Sequence, residues 1–293
     1  MNVADAIKEN RIKGYLTVNK RIIFENGIYH ITQRAPGREK LFVEESDYLY
    51  FLRLLKETVK KFDLVLFSFV LLPNHVHFFL KIRQENLSQS MKSLFERYAN
   101  YFNKKYIRKG HVFCGRYRAS LCNDERYFLA ISLYIHLNPV RAGLCKDATG
   151  YRWSSIGLYG GEAKESFVNS EDILSCLSER PEQAKQIYRS LLKQNLPYDE
   201  GSSLDASNMR GAVRKIFSVC RGLLKKEKQG EDLDSLIDTF RSKERLRSVQ
   251  ERQARAYLVE QLLSNGYSRK EIAQRLAIAR STLHRILNET KQV

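Results

Sequence analysis

The sequence predicts an α+β chain: a ferredoxin-like (RRM-like) antiparallel sheet domain, followed by an all-α C-terminal region ending in a helix-turn-helix. Three observations carry this. Strand-like and helix-like periods interleave up to about residue 137, strand-like runs are missing after about 208, and a chain of 293 residues that is 43% hydrophobic can form more than one compact domain.

Residues 1–22 read as a polar N-terminal extension without the apolar stretch of a signal peptide. A strand is expected over 27–34 and a helix over 45–62. Two further strands follow at 64–72 and 75–82, joined by a turn at Pro73-Asn74. In the second of them Val76, Phe78, Leu80 and Ile82 share the face that packs into a core. A helix over 87–108 and a strand over 112–121 come next. The next helix, 125–137, has Asn123 or Asp124 at its start, acidic residues in its first turn and Pro139 at its end. This order fits a sheet with helices on one face, leaving the other for a site. Beyond Gly160-Gly161 the composition turns polar, with short helices at 170–177 and 181–193 and a linker at 194–208 that carries Pro197, Gly201 and several serines. The domain organisation is therefore 1–22, 23–160, 161–208 and 209–293.

The last of these ends in two short amphipathic helices at about 267–288. Ser268 and Glu271 form a capping box; Ile272, Leu276, Ile278, Leu283 and Ile286 supply a small core. The second helix would present Arg280, Ser281, Thr282, His284 and Arg285 to a major groove. Ala277 stands where such turns often have glycine, and a plain helical hairpin is the competing reading.

The candidate chemistry lies in two segments. His75 and His77 flank Val76, so strand alternation projects both imidazoles from one face, where they can hold one divalent ion. The competing reading makes them interior or rim residues of the sheet. Tyr134 and Asn138 lie one helical turn apart and offer a phenol oxygen and an amide oxygen toward the same point. Alternatively Tyr134 is a core residue and Asn138 ends the helix. Among sixteen tyrosines, Tyr127 lies on nearly the same face but is followed four residues later by Ile131, which coordinates nothing; Tyr98, Tyr101 and Tyr106 form an aromatic stripe suited to packing or base stacking. His30, His111, His136 and His284 lack such companions and are taken as structural.

Together the blocks Tyr29-His30-Ile31-Thr32-Gln33-Arg34, Leu72-Pro73-Asn74-His75-Val76-His77, Gly110-His111-Val112-Phe113-Cys114-Gly115-Arg116-Tyr117 and Tyr134-Ile135-His136-Leu137-Asn138-Pro139-Val140-Arg141 resemble the single-tyrosine HUH transposases, and specifically the REP-associated tyrosine transposases. That resemblance implies a metal-dependent single-strand DNA endonuclease and strand transferase acting on hairpin or palindromic DNA. It makes His75, His77 and Asn138 ligands of Mg²⁺ or Mn²⁺ and Tyr134 the nucleophile that forms a 5′-phosphotyrosine. Many relatives of the wider HUH group carry glutamine where this chain has Asn138. A domesticated DNA-binding regulator with little or no cleavage, and a replication or conjugation initiator of the broader HUH kind, are the rival readings.

Charge agrees with a nucleic-acid partner. Fifty Lys and Arg stand against thirty-three Asp and Glu, a formal +17. Between residues 81 and 122 basic side chains interleave with Phe and Tyr, a mixture suited to single strands and hairpins. Arg34, Arg116, Arg118 and Arg141 are the expected DNA contacts there, with duplex DNA a second partner through the C-terminal helices. Whether the protein is a monomer or a homodimer stays open. Five cysteines without a Cys-x-x-Cys pair suggest neither a zinc site nor a disulfide framework. With no membrane-length apolar stretch, a bacterial cytoplasmic, nucleoid-associated protein is expected. No glycine-rich phosphate loop points to nucleotide hydrolysis.

Overall fold

The computed structural model describes residues 15–17, 23–37, 39–122, 124–159, 166–194, 206–220, 237, 241, 255–256, 258–259, 262–263 and 267–289. Five strands, β1 (Tyr15–Thr17), β2 (Ile28–Arg34), β3 (Leu64–Leu72), β4 (His75–Ile82) and β5 (Arg118–Cys122), form one sheet in the order β1-β5-β2-β4-β3. Every neighbouring pair is antiparallel. β1 falls inside the stretch expected to be a polar extension; pairing with β5 recruits it to the sheet edge.

Alternation along the strands builds two faces. Tyr29 and Ile31 of β2 with Val76, Phe78, Leu80 and Ile82 of β4 pack against α1 (Glu45–Lys61) and α2 (Leu87–Lys105), whose Phe51, Leu54, Leu94 and Tyr98 are fully buried. In β3 a bulge between Leu66 and Ser68 switches parity, so that Leu66 and Phe69 face this first core while Phe67 and Val70 face the second.

The second face is also covered, contrary to the expected one-sided arrangement. A single 3₁₀ turn, Glu125–Tyr127, leads into α3 (Phe128–Arg141), which lies on the sheet with every residue from Phe128 to Pro139 buried. A helix so apolar all round needs cover on its far side too. That cover comes from α5 (Pro181–Lys193) and α6 (Ala206–Cys220), with the one-turn α4 (Glu171–Leu174) beside them. α6 starts inside the expected linker and crosses the expected 208/209 boundary because Met209, Val213, Ile216 and Phe217 are buried in the same core as α3.

Two further ends differ from expectation. α3 runs through Pro139 instead of stopping before it: the missing N–H removes one bond near the helix end, and the buried turn around it holds the backbone helical. Residues 112–117 are loop instead of strand, turned by Gly110 (φ +102°) and Gly115 (φ +69°).

α1 and α2 are tied at one end by Asp47. Its buried carboxylate accepts from the backbone N–H of Val43 (2.9 Å) and Glu44 (3.1 Å), from Lys105 Nζ (2.7 Å) and from the Tyr106 hydroxyl (2.7 Å). The outer edge of β3 is partly closed: Leu71 N donates to Trp153 O at 2.8 Å and Asn169 N to Leu66 O at 2.7 Å.

Near the C-terminus α7 (Arg269–Arg275) and α8 (Arg280–Glu289) form a helix pair. Ser268 caps α7 through the expected reciprocal bonds, Glu271 N to Ser268 Oγ at 3.3 Å and Ser268 N to Glu271 Oε2 at 2.7 Å. Ile272, Leu276, Leu283 and Ile286 are buried, and Ala277 takes a left-handed φ of +51° in the turn.

Candidate functional site

β2 and β4 run antiparallel with Thr32 opposite His77 and Arg34 opposite His75, so His30, Thr32, Arg34, His75 and His77 all project from the face on which α3 lies. β5 adds Arg118 opposite Thr32. Both histidine side chains are buried, and each has its Nδ1 held by a neighbour: His75 Nδ1 lies 2.7 Å from Asn74 Oδ1, and His77 Nδ1 lies 2.9 Å from His30 Nε2 and 3.2 Å from Thr32 Oγ1. Among the described residues neither Nε2 has a hydrogen-bond partner.

Asn74 Oδ1 can only accept, so His75 carries its proton on Nδ1 and its Nε2 presents a lone pair. The same tautomer at His77 lets Nδ1–H donate to His30 Nε2 and leaves a second Nε2 lone pair. Burial, reinforced by the positive charges of Arg141 and Arg34, lowers the His75 pKa to about 3; burial, with His75, His30 and Arg141 nearby, pushes His77 well below its ordinary value. Both rings are therefore neutral at pH 7. Two buried imidazole lone pairs without a protein partner fit a divalent cation of the kind histidine takes. Among the described residues no group of three His, Cys, Asp or Glu side chains could hold a metal. Among the described residues the Asn138 amide oxygen, one turn from Tyr134, is a group of another type that could serve as a third ligand.

Tyr134 meets this face from α3. Its ring centroid lies 5.7 Å from that of His77 and 5.8 Å from that of His30, both edge-on, and Arg141 Cζ sits 4.8 Å from the ring centroid. Asn138, one turn later, donates from Nδ2 to Tyr134 O at 2.7 Å. Tyr134 is 3% exposed. Burial raises its phenol pKa, opposed by the Arg141 charge and by hydrogen bonds from Arg141 and Asn138.

The histidine pair, Tyr134, Asn138, Arg34, Arg118 and Arg141 thus come from four elements to one place. Arg116 is exposed in the 112–117 loop, and Arg280, Ser281, His284 and Arg285 lie exposed on α8 with Thr282 half-buried. His30 is not the isolated structural residue expected; it is part of the site, as are Thr32 and Asn74. The two-residue period of β2 puts His30 and Thr32 on the face of Arg34, but only its pairing with β4 brings them to His77. Thr32 also contacts α6, its hydroxyl lying 3.6 Å from Met209 Sδ. His136 is structural, its two nitrogens bonded to the Tyr188 hydroxyl (2.7 Å) and Ser155 Oγ (2.8 Å). Tyr127 is buried and stacked on Phe217 at 4.2 Å.

Residues 23–138 match the family model "Transposase IS200 like". The chain carries an IS200-like transposase domain. Residues 245–290 match the helix-turn-helix domain of resolvase, which contains α7 and α8. The two matched regions support a transposase-like function that includes DNA binding. A solved structure described as a REP-associated tyrosine transposase bound to a REP hairpin aligns over 54% of this chain and 93% of that chain, at 14% identity and a TM-score of 0.45. No curated protein matches the chain. Among the described residues no helix is long and apolar enough to cross a membrane. The transposase domain includes β2 to β5 and most of α3, and so contains His75, His77, Tyr134 and Asn138.

Proposed function

We propose that the transposase domain cuts and rejoins single-stranded or hairpin DNA through a covalent bond to Tyr134, with His75, His77 and Asn138 holding Mg²⁺ or Mn²⁺. The observation that carries this reading is the tyrosine ring 5.7 Å from a histidine whose buried Nε2 has no partner among the described residues. When bound, the cation supplies Lewis-acid polarisation of a phosphate oxygen. His75 and His77 orient it through neutral imidazoles fixed by Asn74 and His30.

Tyr134 loses its phenol proton and its oxygen attacks phosphorus. The P–O3′ bond breaks, and the departing oxygen takes up a proton to become a free 3′-hydroxyl. The tyrosyl phosphodiester conserves the bond, so another 3′-hydroxyl can reverse the step without a nucleotide cofactor. Free tyrosine, with a pKa of about 10, is ionised to only about one part in a thousand at neutral pH. Arg141, stacked on the ring and bonded near its oxygen, favours the phenolate against the effect of burial. Arg34 and Arg118 border the site and suit the phosphates of the strand.

To test this, hairpin oligonucleotides labelled at one end are incubated with the protein and Mn²⁺ or Mg²⁺. A covalent adduct is expected that disappears with Tyr134→Phe; an adduct that persists in that variant refutes the assignment. The near-complete burial of Tyr134 favours a second reading, a DNA-binding regulator that retains the centre without cutting. It would bind DNA tightly and form no adduct with any substrate.

A further inference from the structure

Ile107 stands where the backbone calls for glycine. α2 closes with Tyr106 N donating to Phe102 O (3.0 Å) and Arg108 N to Asn103 O (2.9 Å), and the residue between them has a φ of +50°. This first position past a helix end usually holds glycine, since an L side chain there crowds the carbonyl, and a β-branched one crowds it most. The isoleucine gains no packing in exchange: it is 94% exposed, against 55% for the next most exposed large apolar side chain described. Its neighbours Lys104, Lys109 and His111 are exposed as well, and Arg108 is bonded to Glu39 at 2.6 Å.

The loop that follows returns to the end of β2. There Cys114 N donates to Arg34 O at 2.8 Å and Gln33 Nε2 to Gly115 O at 3.1 Å. Arg34 pairs with His75, so the loop that Ile107 opens runs to the end of the sheet where the histidine pair begins.

We propose that Ile107 is a wedge for DNA, pressing on an open base step where a hairpin stem meets its single-stranded flank while Lys104 and Lys109 meet the adjoining phosphates. It rests on the reading of hairpin DNA as the partner of this domain. Base faces are apolar and phosphates anionic, so a bare apolar prow among cations matches a strand junction. A residue held against its conformational preference without packing return is ground for a hypothesis of function.

The test uses the full chain and hairpins with single-stranded flanks, carrying a fluorescent 2-aminopurine at the junction. Ile107→Gly and Ile107→Asn, both tolerant of the left-handed turn, should melt higher than the parent protein. They should also bind the hairpin about tenfold more weakly and lose the 2-aminopurine change that the parent protein induces. Ile107→Leu, which keeps an apolar tip, should bind nearly as the parent does. Unchanged affinity in the glycine and asparagine variants overturns the wedge while leaving the Tyr134 reading intact. A lower oligomeric state in those variants with unchanged DNA affinity overturns it in favour of a protein contact. If the parent protein binds no hairpin or single strand, the DNA reading fails and the wedge with it.

Discussion

His77 is oriented by residues on the neighbouring strand, where His30 Nε2, 2.9 Å from His77 Nδ1, can accept its proton with Thr32 Oγ1 beside it. Replacing His30 by leucine removes that acceptor and should weaken Mn²⁺ binding about tenfold to a hundredfold, whereas glutamine, which can still accept, should restore most of it. Calorimetric titration with Mn²⁺ reads this directly, and equal affinity in the leucine variant would remove His30 from the site. Asp47 is a second buried group whose partners define it. Burial alone would raise its carboxyl pKa, but Lys105, Tyr106 and two backbone N–H groups bring it below the usual range. Its contribution is therefore complete above the unfolded carboxylate pKa of about 4 and is lost as pH falls through the lower folded value. Asp47→Asn should destabilise by about 2 kcal/mol in urea melts at pH 7, and the difference should shrink in acid. Tyr134 and Asn138 were legible from sequence because one helical turn fixes their relation. His30 and Thr32 were not, since only the pairing of two distant strands reveals that they face His77.

At the scale of elements, β4 was readable to the residue because its alternation places two imidazoles on one side and four large apolar groups on the other. The stretch 112–117 misled for a physical reason. Val112, Phe113 and Tyr117 have the composition of a strand, but two left-handed glycines bend the chain away from any ladder. In the turn between α7 and α8, Ala277 makes the opposite compromise, with a methyl group where the backbone favours glycine. Ala277→Gly should stabilise this helix pair by about 1 kcal/mol, read by thermal melting. A loss of stability would mean that the turn has another conformation in solution.

Across the whole molecule, the packing of α6 onto α3 could not be foreseen, because an amphipathic helix announces that it needs a partner without naming it. The result places Met209 beside Thr32, so a segment outside the matched transposase stretch reaches the second layer of the site. The charge was legible from composition, and its consequence is a strong salt dependence. Hairpin affinity should fall at least about a hundredfold between roughly 50 and 200 mM salt as condensed counterions cease to favour binding. A flat salt response in fluorescence anisotropy would contradict phosphate contact as the source of affinity.

The closed margin of β3 has a bearing on how copies of this chain can join. With Trp153 and Asn169 already bonded to its backbone, that rim offers little ladder to a visiting strand, and the opposite rim is the three-residue β1. Among the described residues, joining two molecules by sheet continuation would thus have only short runs of amides to share, which favours self-association through side chains.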